Sequence, residues 1–166
     1  MVGAWHTNTK LIAWFTETIE TKLRSLPSNV PVVFTAHSLP KSVIDKDPAY
    51  LDQLHATIAL ICERLEFAKN RWQFAYQSAG HTPEEWLKPD LTDLFPGIRE
   101  AGHQDILVVP LQFVADHLEV LYDLDIAAAE QAKLGGLAYH RIEMPNQDQL
   151  FIQALAEATL GQPVRA

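Results

Sequence analysis

Apolar residues recur at helical spacing over residues 8–26, where Leu11, Ile12, Trp14, Phe15, Ile19, Leu23 and Leu26 form one stripe that Pro27 ends. The period then changes. Residues 31–36, Pro-Val-Val-Phe-Thr-Ala, form a short apolar, β-branched run without polar alternation, which predicts a strand buried on both faces. Further strands are predicted at 72–77, 105–109 and 137–142, with helices at 49–66, 90–101, 116–132 and 147–160 in the gaps. Strand alternating with helix predicts an α/β fold in which helices cover both faces of a parallel sheet, giving three layers. No repeat or low-complexity tract divides the chain, so residues 1–166 read as one domain.

A four-stranded sheet of order 2-1-3-4 reverses its strand order between strands one and three, and ligands bind beyond the carboxyl ends at such a switch. Strand one runs into His37-Ser38-Leu39-Pro40, and strand three runs through Pro110-Leu111-Gln112-Phe113 into Asp116-His117-Leu118-Glu119. His37 and Glu119 are therefore expected across one crevice. Each also has a plainer reading. A lone histidine at a strand end is commonly a loop residue bonded to backbone, and one imidazole alone makes neither a metal site nor a relay. Asp116 followed three residues later by Glu119 reads equally as a helix N-cap with a carboxylate in the first turn.

Glu119 and Asp123 stand four apart, where like charges on one helical face cost about 0.2–0.5 kcal/mol. Keeping them together suggests a cation nearby. His117, two residues from Glu119, does not share its face on a regular helix and reads as a neighbour of the site rather than a ligand. The loop 77–86 carries Gly80, Pro83 and Trp86, and Trp86 reads either as a cover for a flat ligand or as a core plug.

Composition narrows the function classes. The 166 residues carry 13 Lys and Arg against 21 Asp and Glu, a net charge of −8, with basic residues scattered. That balance disfavours nucleic acid and anionic membranes as partners. No apolar run approaches the length of a membrane span, and no signal peptide is evident. Cys62 stands alone, so no internal disulfide is possible and a cytoplasmic location is expected. Gly-rich phosphate loops, Gly-x-Ser-x-Gly elbows and Cys-x-x-Cys zinc sites are absent.

Several segments together resemble the ferrochelatase family, enzymes that insert ferrous iron into a porphyrin in haem synthesis. They are Phe34-Thr35-Ala36-His37-Ser38-Leu39-Pro40, Asp47-Pro48-Ala49-Tyr50 with Gln53-Leu54, Trp86-Leu87, and the run from Phe113 to Asp125. The loop Gln77-Ser78-Ala79-Gly80-His81-Thr82-Pro83 and the turn Glu143-Met144-Pro145-Asn146 look most like the Gram-positive branch, which metallates coproporphyrin III.

The resemblance implies a chelatase-like three-layer fold and a lyase that forms metal–nitrogen bonds. It implies that His37 faces the macrocycle as metal ligand or pyrrole-proton acceptor, with Glu119 as the opposing carboxylate. Asp123 matches a further acidic position on a metal or proton path, and Trp86 and His117 fall beside the porphyrin or behind the ligands. Relatives often continue the acidic row at the position that is Ala127 here. Ferrous iron would be a substrate, no prosthetic group is implied, and without additional cysteines no iron–sulfur cluster is expected. The family's usual chain has two α/β lobes, and this sequence matches the second. The apolar stripe Leu150, Phe151, Ala154, Leu155, Ala158 and Leu160 is therefore expected to pack on the missing amino-terminal lobe or on a second copy as a homodimer. Alternatives are a half-size homodimeric chelatase for another tetrapyrrole and a non-catalytic porphyrin- or metal-binding module.

Overall fold

The computed structural model describes residues 3–161. Four strands, β1 (Val32–His37), β2 (Trp72–Gln77), β3 (Asp105–Pro110) and β4 (Ala138–Arg141), form one sheet of order β2-β1-β3-β4. All pairings are parallel, with Val32 beside both Trp72 and Leu107, and Asp105 beside Ala138. The two central strands are the apolar runs: Val32, Val33, Phe34 and Ala36 of β1 and Ile106–Val109 of β3 are buried, as a sheet covered on both faces requires.

Parallel neighbours need crossovers, and these run right-handed. Helix α3 (Ala49–Arg64) therefore covers one face between β1 and β2, while α4 (Phe95–Glu100) and α5 (Ala129–Leu134) cover the other. Helix α1 (Thr9–Leu23) packs against α3 and against α6 (Gln149–Leu160). The short α2 (Lys41–Ile44) follows the loop after β1. Asn8 opens α1 and Asp148 opens α6, each accepting hydrogen bonds from two first-turn amides.

Three elements depart from the sequence reading. The helix expected over 90–101 is a 3₁₀ turn, Leu91–Leu94, followed by α4; Asp90 and Asp93 form a reciprocal capping box at its start. The helix expected over 116–132 is π-wound over Val120–Ala128 before it tightens into α5, and π segments concentrate at functional sites. The cap expected there does not form: no side chain bonds the helix start, and Asp116 is engaged elsewhere.

The third departure concerns α6, expected to need a missing lobe or a partner copy. It docks within its own chain. Phe151 and Ala154 are buried, Trp5 and Phe151 lie with ring centroids 6.2 Å apart, and Lys10 and Asn8 of the α1 region bond Gln153 and Glu157. Of the expected stripe, Leu160 stays exposed. Gly161, at φ 66°, closes the helix in the left-handed conformation that glycine adopts freely.

Candidate functional site

His37 is the last residue of β1, at the point where the sheet order reverses. Its backbone is held tightly. The His37 N–H donates to Gln112 Oε1 at 2.8 Å. The Tyr50 hydroxyl, from α3, lies 2.9 Å from the same oxygen and 3.1 Å from the His37 carbonyl, and donates to one or the other. Burial, partly offset by the Gln112 bond and reinforced by Tyr76, pushes the Tyr50 phenol above its ordinary value, so it stays a donor. Ser38 fixes the following turn, its N–H donating to the Gln77 carbonyl and its hydroxyl to that of Leu87.

The imidazole is oriented in turn. Nδ1 lies 2.5 Å from the Ser38 carbonyl oxygen. A carbonyl only accepts, so Nδ1 carries the hydrogen. The neutral ring then presents the Nε2 lone pair outward, and that atom lies 3.8 Å from Glu119 Oε1. Two acceptors thus face each other, an arrangement completed by a proton or a metal ion between them. Phe113 sits edge-on to both neighbouring imidazoles, 6.2 Å from the His37 ring and 4.5 Å from that of His117.

The other expected residues fall around this pair. His117 is exposed and reaches the site through Phe113. Asp123 lies farther along the π-helix in a separate polar cavity of about 310 Å³ beyond β2, together with Gln77, Ser78, His81, Asp90 and Ala127. Both polar atoms of the buried Gln77 side chain and the Ser78 hydroxyl lack hydrogen-bond partners among the described residues. Trp86 bridges to Pro40 through its backbone and donates from Nε1 to Thr82, so the loops after β1 and β2 are joined beside the crevice. Among the described residues, no group of three or more His, Cys, Asp or Glu could hold a resident metal ion.

Sequence reasoning did not single out Tyr50 and Gln112 as site residues. Their signal was present: Gln112 is the polar residue in the otherwise apolar run leaving β3, and Tyr50 opens the helix that follows the His37 loop. A larger cavity of about 500 Å³, lined by Trp5, Phe15, Tyr50, Gln112 and Phe113 among others, adjoins the same residues.

The strand order, the parallel pairing and the His37–Glu119 pair at the switch point define a doubly wound α/β domain of the chelatase type. The CbiX protein of Marinobacter aquaeolei, named for cobalamin biosynthesis, shares this fold with a TM-score of 0.54 at 15% identity, over 79% of this chain and 94% of its own. The ferrochelatase family model matches residues 1–162, and the chain belongs to that family. The ferrochelatase of Herpetosiphon aurantiacus is 37% identical over 98% of this chain and 54% of its own length. The coproporphyrin III ferrochelatase of Bacillus subtilis is 37% identical over 96% of this chain and 52% of its own, and the Thermus thermophilus ferrochelatase 39% over 94% and 49%. The chain spans about half the length of the curated relatives it matches.

Proposed function

We propose that this chain is the metal-side lobe of a ferrochelatase, inserting ferrous iron into a porphyrin during haem synthesis. The observation that carries the reading is the outward Nε2 of His37 facing Glu119 Oε1 at 3.8 Å, with Nδ1 committed to a carbonyl. Metallation breaks two pyrrole N–H bonds, forms four iron–nitrogen bonds and releases two protons. The site offers two acceptors, one imidazole nitrogen and one carboxylate, and both are also suitable ligands for ferrous iron. A pair of protein ligands suits an ion handed on to a tetrapyrrole, whose nitrogens supply the remaining coordination.

Coproporphyrin III is the proposed porphyrin, supported by the name of the Bacillus subtilis relative and by the resemblance of the 77–83 loop and the Glu143–Asn146 turn. The amino-terminal lobe of the two-lobed relatives is the proposed partner. In support, Val114, Leu118, Leu121 and Tyr122 are exposed around the start of the π-helix, and Leu118 is 79% exposed; such residues call for a cover. None of the described helices is long and apolar enough to cross a membrane.

A second reading is a one-lobe chelatase that completes its site with another copy. The CbiX match favours it, because this fold accounts for 94% of that chain. Native mass together with a metallation assay separates the two. Iron insertion only when the amino-terminal lobe is supplied supports the first reading, and insertion by a dimer of this chain alone supports the second. No metallation in either format refutes both.

A further inference from the structure

Glu119 has no hydrogen bond and no ion pair apart from His37 among the described residues, and its side chain is half exposed. Burial does not hold the stretch leading to it either: Val114 is 43% and Leu118 79% exposed. Just after Glu119 the helix is anchored by the buried Val120 and Leu124, so what burial leaves free, the 114–118 approach and the exposed face of the π-helix, is left to polar ties. Those ties converge on two residues outside the site, Arg141 at the end of β4 and Asn146 in the turn before α6.

Asn146 clasps Asp116 twice: the Asp116 N–H donates to Asn146 Oδ1 at 2.9 Å, and Asn146 Nδ2 donates to Asp116 Oδ2 at 2.8 Å. The Asn146 N–H also donates to the Val114 carbonyl at 3.1 Å. Arg141 grips the other side of Glu119 with a two-pronged pair, Nε to Asp125 Oδ1 at 2.6 Å and Nη2 to Asp125 Oδ2 at 2.7 Å, and its Nη2 also lies 3.4 Å from Asp116 Oδ1. Anchors thus stand three residues before Glu119 and six after it. Burial alone would lower the Arg141 guanidinium, but the Asp125 bonds and the charges of Asp125 and Asp116 hold it above its ordinary value. Planar, two-pronged geometry of this kind fixes orientation as well as distance.

We propose that Arg141 and Asn146 are positioning residues whose joint clamp on Asp116 and Asp125 aims the Glu119 carboxylate at His37. The proposal rests on the functional reading above for its catalytic consequence, but its structural content stands on this chain alone. Asn146 sits at φ 48°, a conformation that glycine adopts without strain. Asn146→Gly therefore removes the amide clamp while leaving the backbone free to keep its path. Arg141→Lys keeps the charge and loses the fork.

The test has two readouts. In the isolated chain, nuclear Overhauser contacts between the His37 ring protons and the Glu119 methylenes are expected in the parent and lost in Asn146→Gly and Arg141→Lys. Amide spectra outside residues 113–128 and the immediate neighbours of the substituted position should remain superimposable. In the complete protein, porphyrin metallation with zinc should fall about tenfold in kcat, with KM for porphyrin little changed. A double variant with Glu119→Gln should be no slower than Glu119→Gln alone, because both changes remove one function. Contacts retained in both variants would overturn the clamp, as would rate losses that simply multiply with that of Glu119→Gln. A parent protein that fails to metallate would instead sink the functional reading, and the contacts would still decide the positioning.

Discussion

The Trp86 indole lies directly against Gly80: a Cβ placed there would fall 2.4 Å from Trp86 Cζ2 and 2.7 Å from Cη2. No real side chain fits without moving the ring. That ring belongs to the zip between the loops after β1 and β2, where Leu87 N–H donates to Leu39 and Lys41 N–H to Glu85. Gly80→Ala should therefore displace the indole, and because Gly80 is exposed and the ring only half-buried the cost should stay within about 1 kcal/mol. Urea titration gives the cost, and the Trp86 contribution to fluorescence, obtained by difference from Trp86→Phe, reports the displacement. An unchanged Trp86 spectrum would show that the loop backbone yields instead.

On the proposed function, His37→Ala should abolish metal insertion in the two-lobed protein and Glu119→Gln should slow it severely but measurably, each leaving the melting temperature nearly unchanged. The His37 position is held by its backbone bonds to Gln112 and Tyr50, which the alanine keeps. Glu119→Ala should be equally well folded, because Glu119 caps nothing in this structure. A melting loss in the alanine variant but not in the glutamine variant would restore the capping role.

Helix α6 should behave as an integral part of the domain. Phe151→Ala is expected to cost about 3–5 kcal/mol through the lost burial and the cavity left between α6 and α1. Asp148→Ala, which removes the cap from the Leu150 and Phe151 amides, should cost about 1 kcal/mol. Denaturant unfolding checks both. Equal, small effects would mean that the helix is held by a partner rather than by α1.

Alkaline stability should carry the signature of Cys62. Burial pushes its thiol from 9.0 up to about 11. Well below pH 9 the thiol is protonated in both the folded and unfolded states, so there it contributes no slope. As pH rises through the range between the unfolded and folded values, the unfolded chain releases the proton and the folded chain keeps it, so stability falls. The raised phenols of Tyr50 and Tyr76 act in the same direction from pH 10 upward. Comparing the parent with Cys62→Val between pH 9 and 10 isolates the thiol, and parallel curves would refute the assignment.

Strands and switch point were legible because burial on both faces writes itself as runs of apolar and β-branched residues, visible in Val32–Ala36 and Ile106–Val109 without any partner in view. The His37–Glu119 juxtaposition followed from topology alone. What stayed hidden depends on side chains meeting across long stretches of sequence. Asp116 reads locally as an N-cap, and only the approach of Asn146, thirty residues away, converts it into a clamp. Tyr50 and Gln112 meet across 62 residues. The π winding left no periodic trace, because Val120, Leu124 and Ala128 bury themselves at a spacing an α-helix also tolerates.

The docking of α6 on α1 has a topological consequence. The Asn8 amide donates to Glu157 at 2.9 Å, so the entrance to the first helix and the last turns of the final one adjoin. Among the described residues the path through the domain nearly closes on itself, with the segment around residues 3–9 beside residues 157–161 at one location. That closeness suits the domain to circular permutation, with a short linker joining these neighbouring points and new ends opened in the exposed 68–70 loop after α3.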